Sequence, residues 1–161
     1  MKKSLIVICG LVDEFNSKVA SVLCDKLAMF LLNIQQMMEF ELSEKDDIIE
    51  KCGLDYYYNL EKKLIKTAST YENTVVLMNY DYYTFGKNYE VFKNTAYTFF
   101  LHFDKKELAL YSKKLNVINK LAFEDRNEIL KENCDFMIQV TNNNVEETVN
   151  NIILQLKEAT K

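Results

Sequence analysis

The stretch that decides the fold is Leu5-Ile6-Val7-Ile8-Cys9-Gly10, followed by Leu11-Val12-Asp13-Glu14-Phe15-Asn16-Ser17. Its first part, residues 5–9, is a continuous apolar run, which is typical of a strand covered on both faces of a parallel sheet. A glycine ends the run, and residues 17–29 show the periodicity of a helix. A strand, a loop and a helix in this order predict the first unit of an α/β domain.

The loop of this unit lies where a phosphate-binding loop, G-x-x-x-x-G-K-[ST], would lie. In such a loop the backbone N–H groups surround the phosphates, the lysine neutralises their charge and the hydroxyl contacts Mg²⁺. Gly10 and Ser17 match the pattern, but Phe15 and Asn16 replace its second glycine and its lysine. The sequence therefore predicts a degenerate nucleotide loop.

Charge in the same loop argues against a bound polyphosphate. Asp13 and Glu14 place two carboxylates where phosphate oxygens would lie. Each like-charge contact at about 4 Å costs about 1 kcal/mol in water and about 4 kcal/mol at an effective dielectric near 20. Lys18 does not replace the missing lysine, because one further helical residue turns a side chain by about 100°.

The rest of the chain continues the alternation of strands and helices. Apolar runs of strand length occupy residues 5–9, 30–34, 74–78, 96–103 and 136–140. Helical periodicity covers residues 17–29, 43–51, 55–70, 104–114, 124–132 and 145–158, and Ser43 and Asn144 are predicted helix caps. This pattern predicts a three-layer α/β/α domain with a five-stranded parallel sheet.

Composition narrows the class of protein. The chain has 161 residues, 48% of them hydrophobic, which suits one domain over residues 1–161. Its net charge of −4 argues against nucleic acid or an anionic membrane as a partner. Four cysteines and one histidine show no metal-binding spacing, so no metal site is predicted. We expect a cytoplasmic monomer or homodimer whose partner is a protein or a small molecule.

The order of elements and several motifs resemble the shikimate kinase family of P-loop small-molecule kinases, over nearly the whole chain. That family carries D-x-D-x-x-I-E after its second strand, with one acid at the metal site and one on the shikimate hydroxyls. Here Asn33 and Gln35 stand at those two acids. The family's G-E-x-x-F-R-x-x-E helix start keeps its final acid as Glu61, while Tyr58 replaces the arginine that binds the substrate carboxylate.

Two later motifs extend the resemblance. The family's Gly-Gly-Gly turn, which packs against the substrate, corresponds to Asn79-Tyr80-Asp81. Its R-x-P-x-Y pattern keeps its arginine as Arg126, the one retained substrate group. The lid that closes over ATP in the family corresponds to a shortened region, residues 111–125, which has lysines but no arginine. The resemblance thus implies the architecture of the family without most of its chemistry.

These substitutions lead to two hypotheses of function. The first is a pseudoenzyme that has lost ATP binding and phosphoryl transfer, has no catalytic or metal-binding residues and no cofactor, and acts through a protein or a small ligand. The alternative is a divergent ATP-dependent small-molecule kinase, shikimate kinase or related, which would use ATP and Mg²⁺ at an unorthodox phosphate site. A third possibility is a lone anion at the helix N-terminus, which the adjacent acids disfavour.

Each retained residue also has a structural interpretation. We expect Ser17 to be a residue of the helix N-terminus rather than a Mg²⁺ ligand, because no acidic partner remains at Asn33. We expect Glu61 to lie on a helix surface. For Arg126, a surface ion pair and a place in the substrate pocket are equally consistent with the acidic residues around it in the chain.

Overall fold

A computed structural model describes residues 3–42, 45–111 and 120–161. Within these residues the strands are β1 (Leu5–Gly10), β2 (Phe30–Asn33), β3 (Thr74–Leu77), β4 (Ala96–His102) and β5 (Phe136–Gln139). They form one parallel sheet in the spatial order β2-β3-β1-β4-β5. The predicted five-stranded parallel sheet is therefore confirmed.

The helices of the described residues alternate with the strands. They are α1 (Asp13–Leu27), α2 (Ile34–Leu42), α3 (Lys45–Cys52), α4 (Leu54–Ala68), α5 (Tyr80–Thr84), α6 (Lys105–Tyr111), α7 (Lys120–Asn133) and α8 (Val145–Ala159), with a 3-10 segment at Phe85–Phe92. Helix α1 packs on α8 and on β3, whereas α5 contacts β1 and α7 contacts β4. The three-layer α/β/α architecture is as predicted, and none of the described helices is long and apolar enough to cross a membrane.

Several element boundaries differ from the prediction, and two helices, α2 and α5, were not predicted. Helix α1 begins at Asp13 instead of residue 17. Strand β2 ends at Asn33, where α2 begins, because the side-chain oxygen of Asn33 accepts a hydrogen bond from the N–H of Gln36 at 3.3 Å. Helix α5 was not predicted, and Asn79 starts it in the same way by accepting from the N–H of Tyr82 at 2.8 Å. Both helices thus have an asparagine N-cap, and the periodicity of apolar residues did not predict either of them.

The predicted helix caps and the predicted lid have different outcomes. Asn144 caps α8 as expected, because its side-chain oxygen accepts from the N–H of Glu147 at 3.1 Å. The predicted cap Ser43 lies outside the described residues, as do residues 112–119 of the predicted lid. Residues 120–125 of that region belong to α7.

The core is centred on the paired strands β1 and β4, and β1 leads into the loop before α1. Every residue of β1 is buried, and Phe99 and Phe100 of β4 are buried beside it. Burial of side chains of this size contributes about 2–3 kcal/mol each. The site-bearing ends of these strands are therefore held by the most densely buried part of the sheet.

Gly10, the last residue of β1, marks a close approach of three elements. A Cβ atom at this position would lie 2.8 Å from the carbonyl oxygen of Leu101 and 3.0 Å from the side-chain oxygen of Asn16. The first contact is with backbone of β4, which cannot rotate away. Gly10 is thus required by the packing of β1 against β4 and α1, whatever the loop binds.

We predict that Gly10→Ala lowers the free energy of unfolding by about 1–3 kcal/mol, since the added methyl group forces the backbone apart. Ser21→Ala, on the exposed face of α1, is the matched control and should change it by less than about 0.5 kcal/mol. Urea denaturation of the three proteins measures both values. Equal stability of Gly10→Ala and wild type would show that the close approach is absent.

Candidate functional site

The connection between β1 and α1 consists of Leu11 and Val12 alone. The carbonyl oxygen of Val12 accepts the N–H of Asn16 at 2.9 Å, which is the first i to i−4 bond of the helix. Residues 13–16, predicted as the second half of a loop, instead form the first turn of α1. Asp13 and Glu14 suit this place because acidic side chains are stabilised at the positive end of a helix dipole.

The two residues that replace the glycine and the lysine of the loop pattern are both buried. Phe15 is 3% exposed and packs edge to face on Phe103, with 5.1 Å between the ring centroids. Asn16 is fully buried, and neither polar atom of its side chain has a hydrogen-bond partner among the described residues. These side chains anchor the start of α1 in the core.

The remaining polar residues of this segment lie on the helix. Ser17 is half-buried in the second turn of α1, so it does not form the N-terminus as predicted. The ammonium of Lys18 lies 3.2 Å from the carboxylate of Glu14, one turn earlier on the exposed face. Lys18 therefore has an acidic neighbour of its own.

A cavity of about 330 Å³ lies beside α3, α4 and α5. Four of the predicted substrate-site residues line it, namely Tyr58, Glu61, Asn79 and Asp81. Lys45, Tyr82, Thr84 and Phe85 complete the lining. The structure thus brings residues that are far apart in the sequence around one cavity, and the sequence analysis identified half of them.

Glu61 is the most unusual of these residues. It is 3% exposed, so the predicted position on a helix surface is wrong. One carboxylate oxygen accepts a hydrogen bond from the side-chain amide of Asn88 at 3.3 Å. Burial raises the pKa of Glu61 to about 7, while the bond from Asn88 and the charge of Lys45 oppose this rise. A carboxyl group that changes charge near neutral pH therefore faces the cavity.

Aromatic rings form much of the remaining wall. Tyr58 and Phe85 stack with 4.0 Å between their centroids and 21° between their planes. The Tyr57 hydroxyl is hydrogen-bonded to Tyr82, and burial raises the pKa of both phenols. The ammonium of Lys45 lies 5.1 Å from the centroid of the Tyr57 ring. The tyrosine that replaces the family's arginine is thus part of an aromatic surface.

Electrostatic interaction between Asp13 and Asp81 connects the first turn of α1 with the cavity. Burial raises the pKa of Asp13, and the negative charge of Asp81 raises it further. Asp81 also raises the pKa of Glu61. Three acidic groups from α1, α4 and α5 therefore act on one another across this end of the sheet.

The other predicted site residues do not line the cavity. Arg126 is half-buried and places its guanidinium 4.7 Å from the centroid of the Tyr80 ring, and it forms no ion pair with the described residues. Asn33 caps α2, and Gln35 donates to the carboxylate of Glu39 at 3.1 Å within that helix. Arg126 therefore packs on a predicted substrate-site residue without an ion pair to a described carboxylate, and its place in a substrate pocket stays a prediction.

Similarity to proteins of known structure is extensive, although no protein-family model matches the sequence and no curated protein is significantly similar to it. The shikimate kinase from Aquifex aeolicus has a TM-score of 0.78 and is 21% identical, covering 97% of this chain and 98% of that one. The Acinetobacter baumannii enzyme in complex with shikimate has a TM-score of 0.77 and is 20% identical, covering 99% and 96%. This chain has the shikimate kinase fold.

The same fold is also used for sugars. A gluconokinase from Sinorhizobium meliloti is similar with a TM-score of 0.58 and 14% identity, over 99% of this chain and 98% of that one. At these identities the likeness concerns the fold and its kinase-like architecture, and residues must be judged one by one. Among the described residues no group of three or more His, Cys, Asp or Glu side chains is placed to hold a metal ion.

The residues that the sequence analysis missed come from segments without a recognisable motif. Lys45 opens α3, Phe85 begins the 3-10 segment, and Asn88 follows Gly86 and Lys87, both with positive φ. The glycine at position 86 is a sequence signal of a turn here, because glycine adopts positive φ without strain. The approach of this turn to α4 is a tertiary contact, which no local pattern encodes.

We predict that Asn16→Leu raises the free energy of unfolding by about 1–3 kcal/mol, because it removes two buried polar atoms without partners and keeps the side-chain shape. Asn16→Ala is the control: it removes the same atoms but leaves a cavity, so it should gain less or lose stability. Urea denaturation compares the three proteins. Destabilisation by Asn16→Leu would show that the amide of Asn16 is satisfied in the folded protein.

We predict that Glu61 makes stability fall as pH rises. The pKa of Glu61 is about 7 in the folded protein and 4.5 in the unfolded chain. Its contribution to the free energy of unfolding is therefore complete below about pH 4.5 and is lost as the pH rises through 7. Glu61→Gln should therefore be more stable than wild type by about 3 kcal/mol at pH 8, and this advantage should shrink towards pH 4.5. Denaturation at several pH values measures it.

The control for this series is Glu158→Gln, at an exposed position near the end of α8. It should follow the wild-type pH profile. A Glu61→Gln profile parallel to that of wild type would show that the Glu61 carboxyl group is ionised normally in the fold.

Proposed function

We propose that this shikimate-kinase-like protein no longer binds ATP or transfers a phosphoryl group, and that it acts by holding a small molecule in the cavity beside α4. The observation that carries the proposal is the start of α1 at Asp13, with the N–H of Asn16 already bonded inside the helix at 2.9 Å. A polyphosphate needs several unbonded N–H groups in a curved loop. The connection of Leu11 and Val12 is too short for such a loop.

The side chains around this turn do not fit a triphosphate with magnesium either. Phe15 and Asn16 are packed into the core, and Asp13 and Glu14 bring negative charge to the helix start. Ser17 lies one turn into α1. Because phosphoryl transfer depends almost entirely on positioning and on neutralising phosphate charge, these residues argue against the reaction.

The cavity supports a role in binding. Its volume of about 330 Å³ lies at the lower end of the range for small-molecule sites, and it combines aromatic walls with a few polar groups. Glu61 and Asn88 are fixed by burial and by their mutual hydrogen bond, so these polar groups are preorganised. Such a site binds without the need for a phosphate donor.

A divergent ATP-dependent kinase is the second candidate, and one observation favours it. The carboxyl group of Glu61 has a pKa of about 7 and faces the cavity, which suits a general base that accepts the proton of a substrate hydroxyl. This candidate would need ATP and Mg²⁺ to bind without the usual loop. The next experiment separates it from the binding role.

We predict that Mg²⁺-ATP at millimolar concentration leaves the thermal unfolding temperature unchanged. A ligand at about 100 times its Kd stabilises a protein by about 2.7 kcal/mol, so binding of ordinary strength would be visible. Calorimetry with Mg²⁺-ATP, Mg²⁺-ADP and shikimate, alone and combined, completes the test.

The controls are Ser17→Ala and Lys18→Ala, which remove the hydroxyl and the exposed lysine nearest the helix start. With no nucleotide bound, all three proteins should behave alike. A Mg²⁺-dependent stabilisation that either variant abolishes, or consumption of ATP that depends on shikimate, would establish the kinase instead.

A further inference from the structure

The charge of the cavity is predominantly negative. Glu61 and Asp81 line it, and Asp13 acts on Asp81 from the start of α1. Lys45 is the one cationic side chain among the residues that line this cavity, and it lies within 4 Å of no described carboxylate. Two carboxylates against one ammonium leave a net negative charge, so an anionic ligand would meet net repulsion and a cation net attraction.

Glu61 provides a specific point of attachment. The side chain is 3% exposed and lines the cavity, yet only one of its carboxylate oxygens has a hydrogen bond among the described residues, the bond from Asn88. The second oxygen keeps access to solvent, so a ligand N–H group in the cavity can donate a charge-assisted hydrogen bond to it. The matching ligand group is therefore a hydrogen-bond donor.

The walls suit the rest of such a ligand. Tyr58 and Phe85 present a stacked aromatic surface beside the carboxylates. Aromatic faces attract cations within about 6 Å of the ring centroid. Rings at this end of the fold already hold cations in this way, since Lys45 lies 5.1 Å from the Tyr57 centroid and Arg126 lies 4.7 Å from that of Tyr80.

We propose that the cavity binds a small organic cation, an amine with an apolar or aromatic body, whose ammonium group lies between the carboxylates of Glu61 and Asp81 and whose body packs on Tyr58 and Phe85. The inference rests on the proposed binding function of the cavity and adds the chemical class of the ligand. A site for an anionic substrate needs positive charge, whereas the proposed site prefers a cation.

Neutral and anionic ligands fit these contacts less well. A neutral alcohol can donate to Glu61 but leaves the repulsion between Glu61 and Asp81 in place. A carboxylate would add a third negative charge to the lining. The amine alone supplies both the donor and the compensating charge.

Protonation of Glu61 gives the binding a distinctive pH dependence. The groups that act on its carboxyl are Lys45 from α3, Asp81 and Tyr82 from α5, Asn88 from the 3-10 segment and Tyr57 from α4 itself. The neutral form predominates below a pKa of about 7, so an ammonium ligand must displace its proton there. The affinity should be about tenfold higher at pH 8 than at pH 6.

Benzylamine, benzyl alcohol and benzoate test the inference, because they share one ring and differ in charge. Calorimetric or NMR titration of the full chain should show saturable binding of benzylamine, at least about tenfold tighter than benzyl alcohol, and no binding of benzoate. Glu61→Gln and Asp81→Asn should each weaken benzylamine binding about tenfold, and Glu61→Gln should remove the pH dependence. Asp81 is exposed, so its variant avoids any change in the core.

Glu158→Gln on α8 is the matched control and should bind benzylamine like wild type. Equal affinity for the amine and the alcohol, binding of benzoate, or unchanged binding in both cavity variants would overturn the inference. Parallel titrations with Mg²⁺-ATP keep the two proposals apart. If neither the amine nor the nucleotide binds, the proposed cationic ligand is refuted and the proposed loss of ATP binding is not. Binding of the nucleotide would refute the proposed function.

Discussion

The close contact of Gly10 with the backbone of β4 is the constraint on which the rest of the structure depends. With no side chain at Gly10, the end of β1 approaches the carbonyl oxygen of Leu101, where a Cβ would lie 2.8 Å away. Leu11 and Val12 then lead directly into α1, whose first turn inserts Phe15 and Asn16 into the core. A glycine at this position is therefore required by interior packing alone, whether or not the loop binds a phosphate.

The strands could be predicted from the sequence because each is a short apolar run, and the sheet buries such runs on both faces. The start of α1 could not be predicted, because Gly10 and Ser17 matched the first and last positions of the loop pattern. The residues between them were therefore assigned to a loop. Two physical signals pointed the other way. Asp13 and Glu14 stabilise a helix N-terminus, and burial of Phe15 stabilises the fold, so these three residues fit a helix better than the loop motif.

The candidate site was harder to predict than the fold, and Glu61 shows why. Its place on an amphipathic helix gives no sign of burial, since the residue that covers and bonds it, Asn88, lies 27 positions away in an irregular segment. Tyr58, Asn79 and Asp81 were identified through the resemblance, because an architecture shared over the whole chain preserves positions even where it does not preserve residue types. Lys45 and Phe85 have no such counterpart and became visible only through tertiary structure.

The acidic residues at the start of α1 and those of the cavity interact electrostatically. Burial and the negative charge of Asp81 beside the cavity raise the pKa of Asp13 in the first turn of α1, so the cavity acid makes a charge at the helix start more costly. A phosphate at the start of α1 would add to that cost, whereas a cation in the cavity would reduce it. A lysine at position 16 would not restore the loop, because Asn16 occupies fully buried space beside Gly10 and an ammonium there would lose its hydration. The acids of the first turn and of the cavity are therefore both consistent with the cationic ligand that we propose.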